Sequence, residues 1–160
     1  MLFAGLRIGD AAAGEIELFA PISDHDRCPV CGMFIARYAE WVAQLKLSDG
    51  QVVMFDGPKD MLAYYFSPAE YGGKDAKVID ILVKDYYSQQ LIDGRTALYV
   101  TGSDVYGPMG AEFIPFSSRE AAESFLKDHH GTAILLFTEI TPDTVQSMRK
   151  RHTMKGGMKH

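Results

Sequence analysis

The sequence predicts an α+β protein made of two small ββαβ lobes. The first observation is a strand-like alternation of residues over 41–47, followed by a turn at Ser48–Gly50 and the β-branched stretch QVVMF. The second is a helix signal directly afterwards, in DGPKDMLAYYF. The third is that a strand ending in Phe, then a helix, returns in PFSSREAAESFL. Helices between antiparallel hairpins are typical of this class.

The first lobe is predicted to span residues 24–94, after a leader of residues 1–23 that has little pattern. Asp56 suits the N-cap of its helix and Pro58 the first turn, ahead of an apolar stripe that ends at Phe66. The stretch AKVIDILVKDYYS is rich in Val and Ile and is predicted to be a long strand.

The second lobe is predicted to span residues 95–140, with strands in ALYVTGS, AEFIPF and TAILLFTEI. Ser117 and Glu120 form a capping box for the helix between the last two strands, and Gly131 stops that helix. The repeat of strand and helix suggests two related lobes, although any strand–helix junction has a similar pattern.

The last segment, residues 141–160, is predicted to be a short helix and a disordered tail. Thr141 is the expected N-cap and Pro142 the first helical residue. Histidine and methionine recur in the tail, which suggests either a mobile metal collector or a solvated tail with chance methionines. These residues are His152, Met154, Met158 and His160.

Composition excludes several classes of protein. The 160 residues carry a formal net charge of -5 and no basic block, so nucleic-acid binding is not expected. No apolar run reaches the roughly 20 residues of a transmembrane helix. The N-terminus shows neither a convincing signal peptide nor a lipobox cysteine. The sequence contains no P-loop, GxGxxG or HExxH motif, and we expect no enzyme.

The stretch DRCPVCGMFI carries the predicted site. Cys28 and Cys31 are the only cysteines, and Met33 follows two residues later. Soft sulfur ligands select Cu(I), and thiolates at this spacing can reach one ion. Met109, between Pro108 and a glycine, is either a second exposed thioether or a side chain that covers the core.

Two other kinds of site remain possible from the residues alone. A thiol–disulfide oxidoreductase would use the same two cysteines, although such a pair normally follows a strand and opens a helix. A structural zinc site would need a second pair of ligands, for which His129 and His130 are candidates. Those histidines are better placed to close a helix. Asp24, His25 and Asp26, just upstream of Cys28, could also contribute.

The ordered motifs resemble the NosL family of nitrous oxide reductase accessory proteins. They are CPVCGMFI, DGQVVMFDGPKDMLAYYF, VKDYYSQQLIDGRTALYVTGSDVYGPMG and PFSSREAAESFLKDHHG, which lie between about Asp24 and Ile140. Cys28, Cys31 and Met33 match the family's sulfur motif, and Met109 matches its second-lobe methionine. The chain departs from the family in lacking a lipobox cysteine and in having Leu91 where many relatives have tryptophan.

This resemblance implies a Cu(I)-binding chaperone for the copper–sulfur centre of nitrous oxide reductase. It implies lobes similar to a domain of organomercurial lyase, and the reductase and a membrane ABC-type assembly complex as partners. It also implies an exported protein, periplasmic or extracytoplasmic, held at the membrane by a lipid anchor. The tail lies outside the resembling region.

Overall fold

The computed structural model describes residues 15–156, with side chains as far as Arg151. The first part of the chain forms an antiparallel sheet in the order β2-β1-β3-β4, with one helix. These elements are β1 Ala43–Leu47, β2 Val52–Phe55, α1 Pro58–Phe66, β3 Val78–Lys84 and β4 Leu91–Asp93. Short 3-10 helices lie at Ile35–Tyr38 and Pro68–Tyr71.

The second part forms a three-stranded antiparallel sheet in the order β8-β5-β9, with a small hairpin of β6 and β7 inserted into it. Its elements are β5 Leu98–Thr101, β6 Tyr106–Gly107, β7 Gly110–Ala111, β8 Ile114–Phe116, α2 Arg119–Asp128 and β9 Ala133–Leu136. A 3-10 helix at Phe137–Glu139 and the last helix, α3 Pro142–Gly156, follow.

The two sheets share one topology, which confirms the predicted α+β class. In each, two strands, a helix and a third strand follow in sequence, and the first strand lies in the centre. The order β2-β1-β3 therefore corresponds to β8-β5-β9, with α1 corresponding to α2. The first sheet adds β4 at its edge, and the second adds the β6–β7 hairpin between its first two strands.

Two helix starts differ from the prediction. The N-cap of α1 is Gly57 and not Asp56. The N-cap of α2 is Ser118, whose hydroxyl accepts from the N–H of Ala121 at 3.2 Å, so the predicted capping box at Ser117 and Glu120 is wrong. Ser117 is instead bonded to Asp85, whose carboxylate accepts from its N–H at 2.7 Å.

The last helix begins as predicted and continues further than expected. The hydroxyl of Thr141 accepts from the N–H of Thr144 at 3.2 Å, and Pro142 is the first helical residue. The helix extends to Gly156, into the segment predicted to be disordered. Met158 and His160 lie outside the described residues, as do the side chains of His152 and Met154.

The larger hydrophobic core lies between the first sheet and helices α1 and α3, and it includes the loop residue Cys28. A smaller core fills the second sheet and α2. Gln44, fully buried in β1, pins the end of the leader because its amide bonds the main chain of Phe19 and Ala20. No helix among residues 15–156 is long and apolar enough to cross a bilayer.

Candidate metal centre

The Cys28–Met33 loop is a tight turn held by its own backbone. The N–H of Cys28 donates to the carbonyl of Met33 at 2.9 Å, and the N–H of Gly32 donates to the carbonyl of Cys28 at 2.8 Å. Gly32 has φ +77°, a left-handed conformation that suits glycine. Arg27 clamps the turn from outside, donating to the Gly32 carbonyl at 2.8 Å. The turn therefore fixes where both thiols point before any metal arrives.

Two carboxylates at the start of α1 meet the two thiols. The Cys28 thiol donates to Asp60 Oδ2 at 3.5 Å, and the Cys31 thiol donates to Asp56 Oδ2 at 3.2 Å. One ligand atom from each of the four side chains lies within 4.8 Å of the others. Three of these residues are buried, and Cys31 is half-buried. This set is hereafter the thiol–carboxylate cluster.

The electrostatics of this cluster favour a bound cation. The adjacent Cys28 raises the pKa of the Cys31 thiol far above its usual range and burial raises it further, although the N–H of Met33 lowers it. Burial raises the pKa of Asp60, and the charge of Asp56 adds to this. When no metal is bound, Cys31 and Asp60 therefore tend to keep their protons, which avoids an accumulation of buried negative charge.

One oxygen of the cluster has no protein partner. Asp56 Oδ1 is buried and makes no hydrogen bond with any residue that the structure describes. An unpaired buried polar atom is costly, and such atoms occur mainly where a function requires them. The two sulfurs lie close to the Asp56 carboxylate, which has an unpartnered oxygen, and this arrangement can hold a metal ion. The thiols would be the ligands for a soft ion, with the carboxylates alongside.

The two predicted methionine ligands lie in different relations to this cluster. Met33 contacts it through its backbone, because its N–H points to the Cys31 sulfur. Met109, between β6 and β7, lines a cavity of about 460 Å³. Cys31, Asp60 and Lys59 line the same cavity. The structure thus brings Met109, which lies in the second lobe, to the same opening as the half-buried thiol. Ligation by either thioether stays a prediction.

Helix α3 forms the opposite wall of this cavity, through Gln146, Arg149 and Lys150. The guanidinium of Arg149 donates to the hydroxyl of Tyr71, which follows α1. This contact holds α3 beside the entrance, so an approaching molecule meets the Cys31 side of the cluster next to a basic helix face.

Other predicted ligands are not part of the cluster. Asp24 and His25 are exposed, and Asp26 accepts a hydrogen bond from the N–H of Ser23 at 2.7 Å. His129 Nδ1 lies 2.9 Å from Asp104 Oδ1 at the end of α2. The cluster around Cys28 and Cys31 therefore contains neither His129 nor His130, which the zinc site considered from the sequence would need.

The sequence interpretation missed the carboxylates of the cluster. Asp56 was assigned to a helix cap, and Asp60 was not singled out. The available signal was the pair of aspartates four residues apart in FDGPKD, on either side of a helix start. Asp56 precedes the N-cap Gly57 and Asp60 lies in the first turn of α1, so both carboxylates lie at the start of this helix. Only the fold shows that the start of α1 meets a loop whose Cys28 lies 32 positions from Asp60 in sequence.

The fold and the cluster define a small α+β protein with a buried thiol–carboxylate site of the kind that holds a metal ion. A family model described as NosL matches residues 19–145, and the chain belongs to the NosL family. The matched range contains all four predicted sulfur ligands and ends before the His/Met tail. The resemblance noted from the motifs is therefore confirmed.

Two relatives illustrate the similarity. The copper-binding lipoprotein NosL of Stutzerimonas stutzeri is 31% identical over 152 residues, which covers 88% of this chain and 78% of that protein. The crystal structure of the copper chaperone NosL from Shewanella denitrificans matches with a TM-score of 0.64 at 26% identity, covering 78% of this chain and 96% of that one. Neither is described as an enzyme, in agreement with the prediction.

Proposed function

We propose that this protein is a Cu(I) carrier that binds the ion between Cys28 and Cys31 and passes it to a partner. The observation that supports this most directly is the convergence of two thiols and two buried carboxylates, one of which, Asp56, has an oxygen without a partner among the described residues. The descriptions of both relatives name copper. Thiolates favour Cu(I) over harder ions.

Exchange of the ion requires an open side, and the cavity beside Cys31 provides one. Cys28 is 1% exposed and serves as the fixed ligand. Cys31 faces the cavity, where Met109 is the proposed neutral third ligand. A partner that approaches through this opening meets Cys31 and Met109 first, so it can take the ion by stepwise replacement of these two ligands.

The competing function, thiol–disulfide exchange, is disfavoured by the state of the thiols. Redox-active pairs depend on a thiolate with a lowered pKa, commonly at a helix N-terminus. Here the two cysteines lie in a turn before a short 3-10 helix. Two buried carboxylates beside the sulfurs oppose the thiolate further.

Family membership supports a proposal for the client and for the location. We infer that the client is nitrous oxide reductase, loaded with the help of a membrane ABC-type assembly complex. The relative from Stutzerimonas stutzeri is described as a lipoprotein. This description supports an extracytoplasmic place for the present protein, close to a membrane.

The test is an anaerobic titration of the reduced protein with Cu(I) against a colorimetric Cu(I) competitor. We expect one tight ion per chain and no measurable disulfide-reductase turnover. Copper binding no stronger than that of a generic dithiol peptide would contradict the proposal. Retention of Zn²⁺ in the presence of excess Cu(I) would identify a zinc site instead, since two thiols and two carboxylates can also serve that ion.

The affinity for Cu(I) should rise with pH. Because the pKa of Cys31 is raised, this thiol is protonated near neutrality, and the entering ion must displace its proton. Each displaced thiol proton changes the affinity about tenfold per pH unit, so the Cys31 proton alone gives roughly a hundredfold between pH 6 and pH 8. The same competition titration, repeated across this range with a competitor of known pH dependence, measures the slope. A flat profile would show that no thiol proton is displaced.

A further inference from the structure

We propose that Lys59 is a positioning residue that holds Met109 over the metal site. The inference rests on the proposed function, in which Met109 is a copper ligand. Lys59 belongs to the first turn of α1, next to Asp60, whereas Met109 belongs to the hairpin of the second lobe. A link between them would set the distance between the thiols and the thioether.

The Lys59 side chain makes this link. It is 2% exposed, and its Nζ donates to the carbonyl of Met109 at 2.5 Å and to that of Ala111 at 2.7 Å. Both acceptors are main-chain carbonyls of the hairpin, one in its turn and one in β7. A buried ammonium group needs such partners, because burying an unpaired charge costs several kcal/mol. The two hairpin carbonyls thus provide the hydrogen bonds that the buried ammonium group needs, and the same bonds hold the hairpin in place.

Glu112 fastens the same two segments from the other side. Its Oε1 accepts from the N–H of Lys59 at 2.6 Å and from the N–H of Phe113 at 2.8 Å. Gly57 and Gly107 leave room for this carboxyl group, since a Cβ atom at either position would lie 2.7 or 3.0 Å from Oε2. Burial raises the pKa of Glu112 to about 8, so the carboxyl is largely protonated near neutrality. The Lys59 ammonium group donates its hydrogen bonds to the hairpin carbonyls instead.

The consequence is a rigid presentation of Met109. A thioether on a two-residue turn has several rotatable bonds and, without support, would reach the ion in only a fraction of conformations. Preorganisation of a ligand by its supporting shell typically changes metal affinity 10- to 100-fold. Lys59 does this without contacting the ion, because its protons point to carbonyls.

A double-variant cycle on the full chain tests this role. The variants are Lys59→Leu, Met109→Leu and their combination, each titrated with Cu(I) and followed by the methyl resonances of ¹³C-labelled methionines. Lys46→Leu, which removes a half-buried lysine of β1 away from the cavity, is the control. We expect Lys59→Leu to weaken Cu(I) binding about tenfold or more and to abolish the copper-induced shift of the Met109 methyl group.

Non-additivity is the readout that a purely structural role would not produce. If Lys59 acts through Met109, the double variant binds no more weakly than Met109→Leu alone. Additive losses, or an unchanged Met109 shift in Lys59→Leu, would overturn the inference. If Lys59→Leu fails to fold, Lys59→Arg retains the charge and donors and must still displace the methyl shift. Wild-type affinity in Met109→Leu would overturn this inference and leave the thiol carrier intact, whereas absent wild-type binding would refute the carrier itself.

Discussion

Replacing Cys31 by serine is expected to weaken Cu(I) binding by more than about a hundredfold. Loss of a residue that only supports a metal ligand typically costs 10- to 100-fold in affinity, and loss of the ligand itself must exceed that. Cys31 is also the thiol on the cavity side, so the ion loses the ligand through which exchange is proposed. Competition titration at a fixed pH measures the loss.

The fold should tolerate this change. Cys31 is half-buried, and a serine hydroxyl can still donate to Asp56 in place of the thiol. Met61→Leu is the matched control, because it removes a buried core sulfur at nearly constant volume from α1, the helix that carries Asp60. Equal Cu(I) affinities for Cys31→Ser and wild type would place the metal elsewhere in the chain.

The parts of the fold that sequence predicts well are those whose signals are local. The SDG turn between β1 and β2 and the proline at the start of α1 depend on a few neighbouring residues, and both elements form as expected. The recurrence of strand and helix was detectable for the same reason. The order in which the strands pair depends on contacts between residues far apart in sequence. It is known only from the structure, where β1 and β5 lie inside their sheets.

The errors concern polar residues whose partners are distant in sequence. Asp56 has the propensity of an N-cap, but the Cys31 thiol, 25 positions away, takes its carboxylate. Ser117 has the same propensity, and Asp85 takes its N–H across 32 positions. In both cases a tertiary hydrogen bond to a buried carboxylate outweighs a cap worth about 1 kcal/mol. The cysteines were found because their identity and spacing carry the signal, and the carboxylates had no comparable motif.

Asp85 is the second of these organising residues. It follows β3 and is 2% exposed. Its Oδ1 accepts from the N–H groups of Tyr87 and Ser88 at 3.0 and 2.9 Å, and its Oδ2 accepts from the N–H of Ser117 at 2.7 Å. These bonds end the predicted long strand at Lys84 and join the first sheet to the start of α2. One carboxylate therefore couples the two sheets.

Substitution of Asp85 by alanine should lower the free energy of unfolding by about 2 to 3 kcal/mol, because three part-buried hydrogen bonds from main-chain N–H groups lose their charged acceptor. Urea denaturation at neutral pH measures this. Asp80→Ala, at an exposed position of β3, is the matched control and should change stability by less than about 0.5 kcal/mol. A similar loss of unfolding free energy in both variants would mean that any substitution near this strand lowers stability, and that the Asp85 carboxylate has no special contribution.

The pH dependence gives the same prediction an independent check. Burial alone would raise the pKa of Asp85, but the N–H groups of Ser88 and Ser117 outweigh it, and the pKa is lowered. The unfolded chain therefore takes up this proton at a higher pH than the folded chain does. The stabilisation is complete well above the unfolded pKa of about 3.9 and is lost as the pH falls through the lower folded value. The stability difference between wild type and Asp85→Asn, which keeps the shape without the charge, should consequently shrink in acid, and a constant difference down to pH 2 would show that the charge contributes nothing.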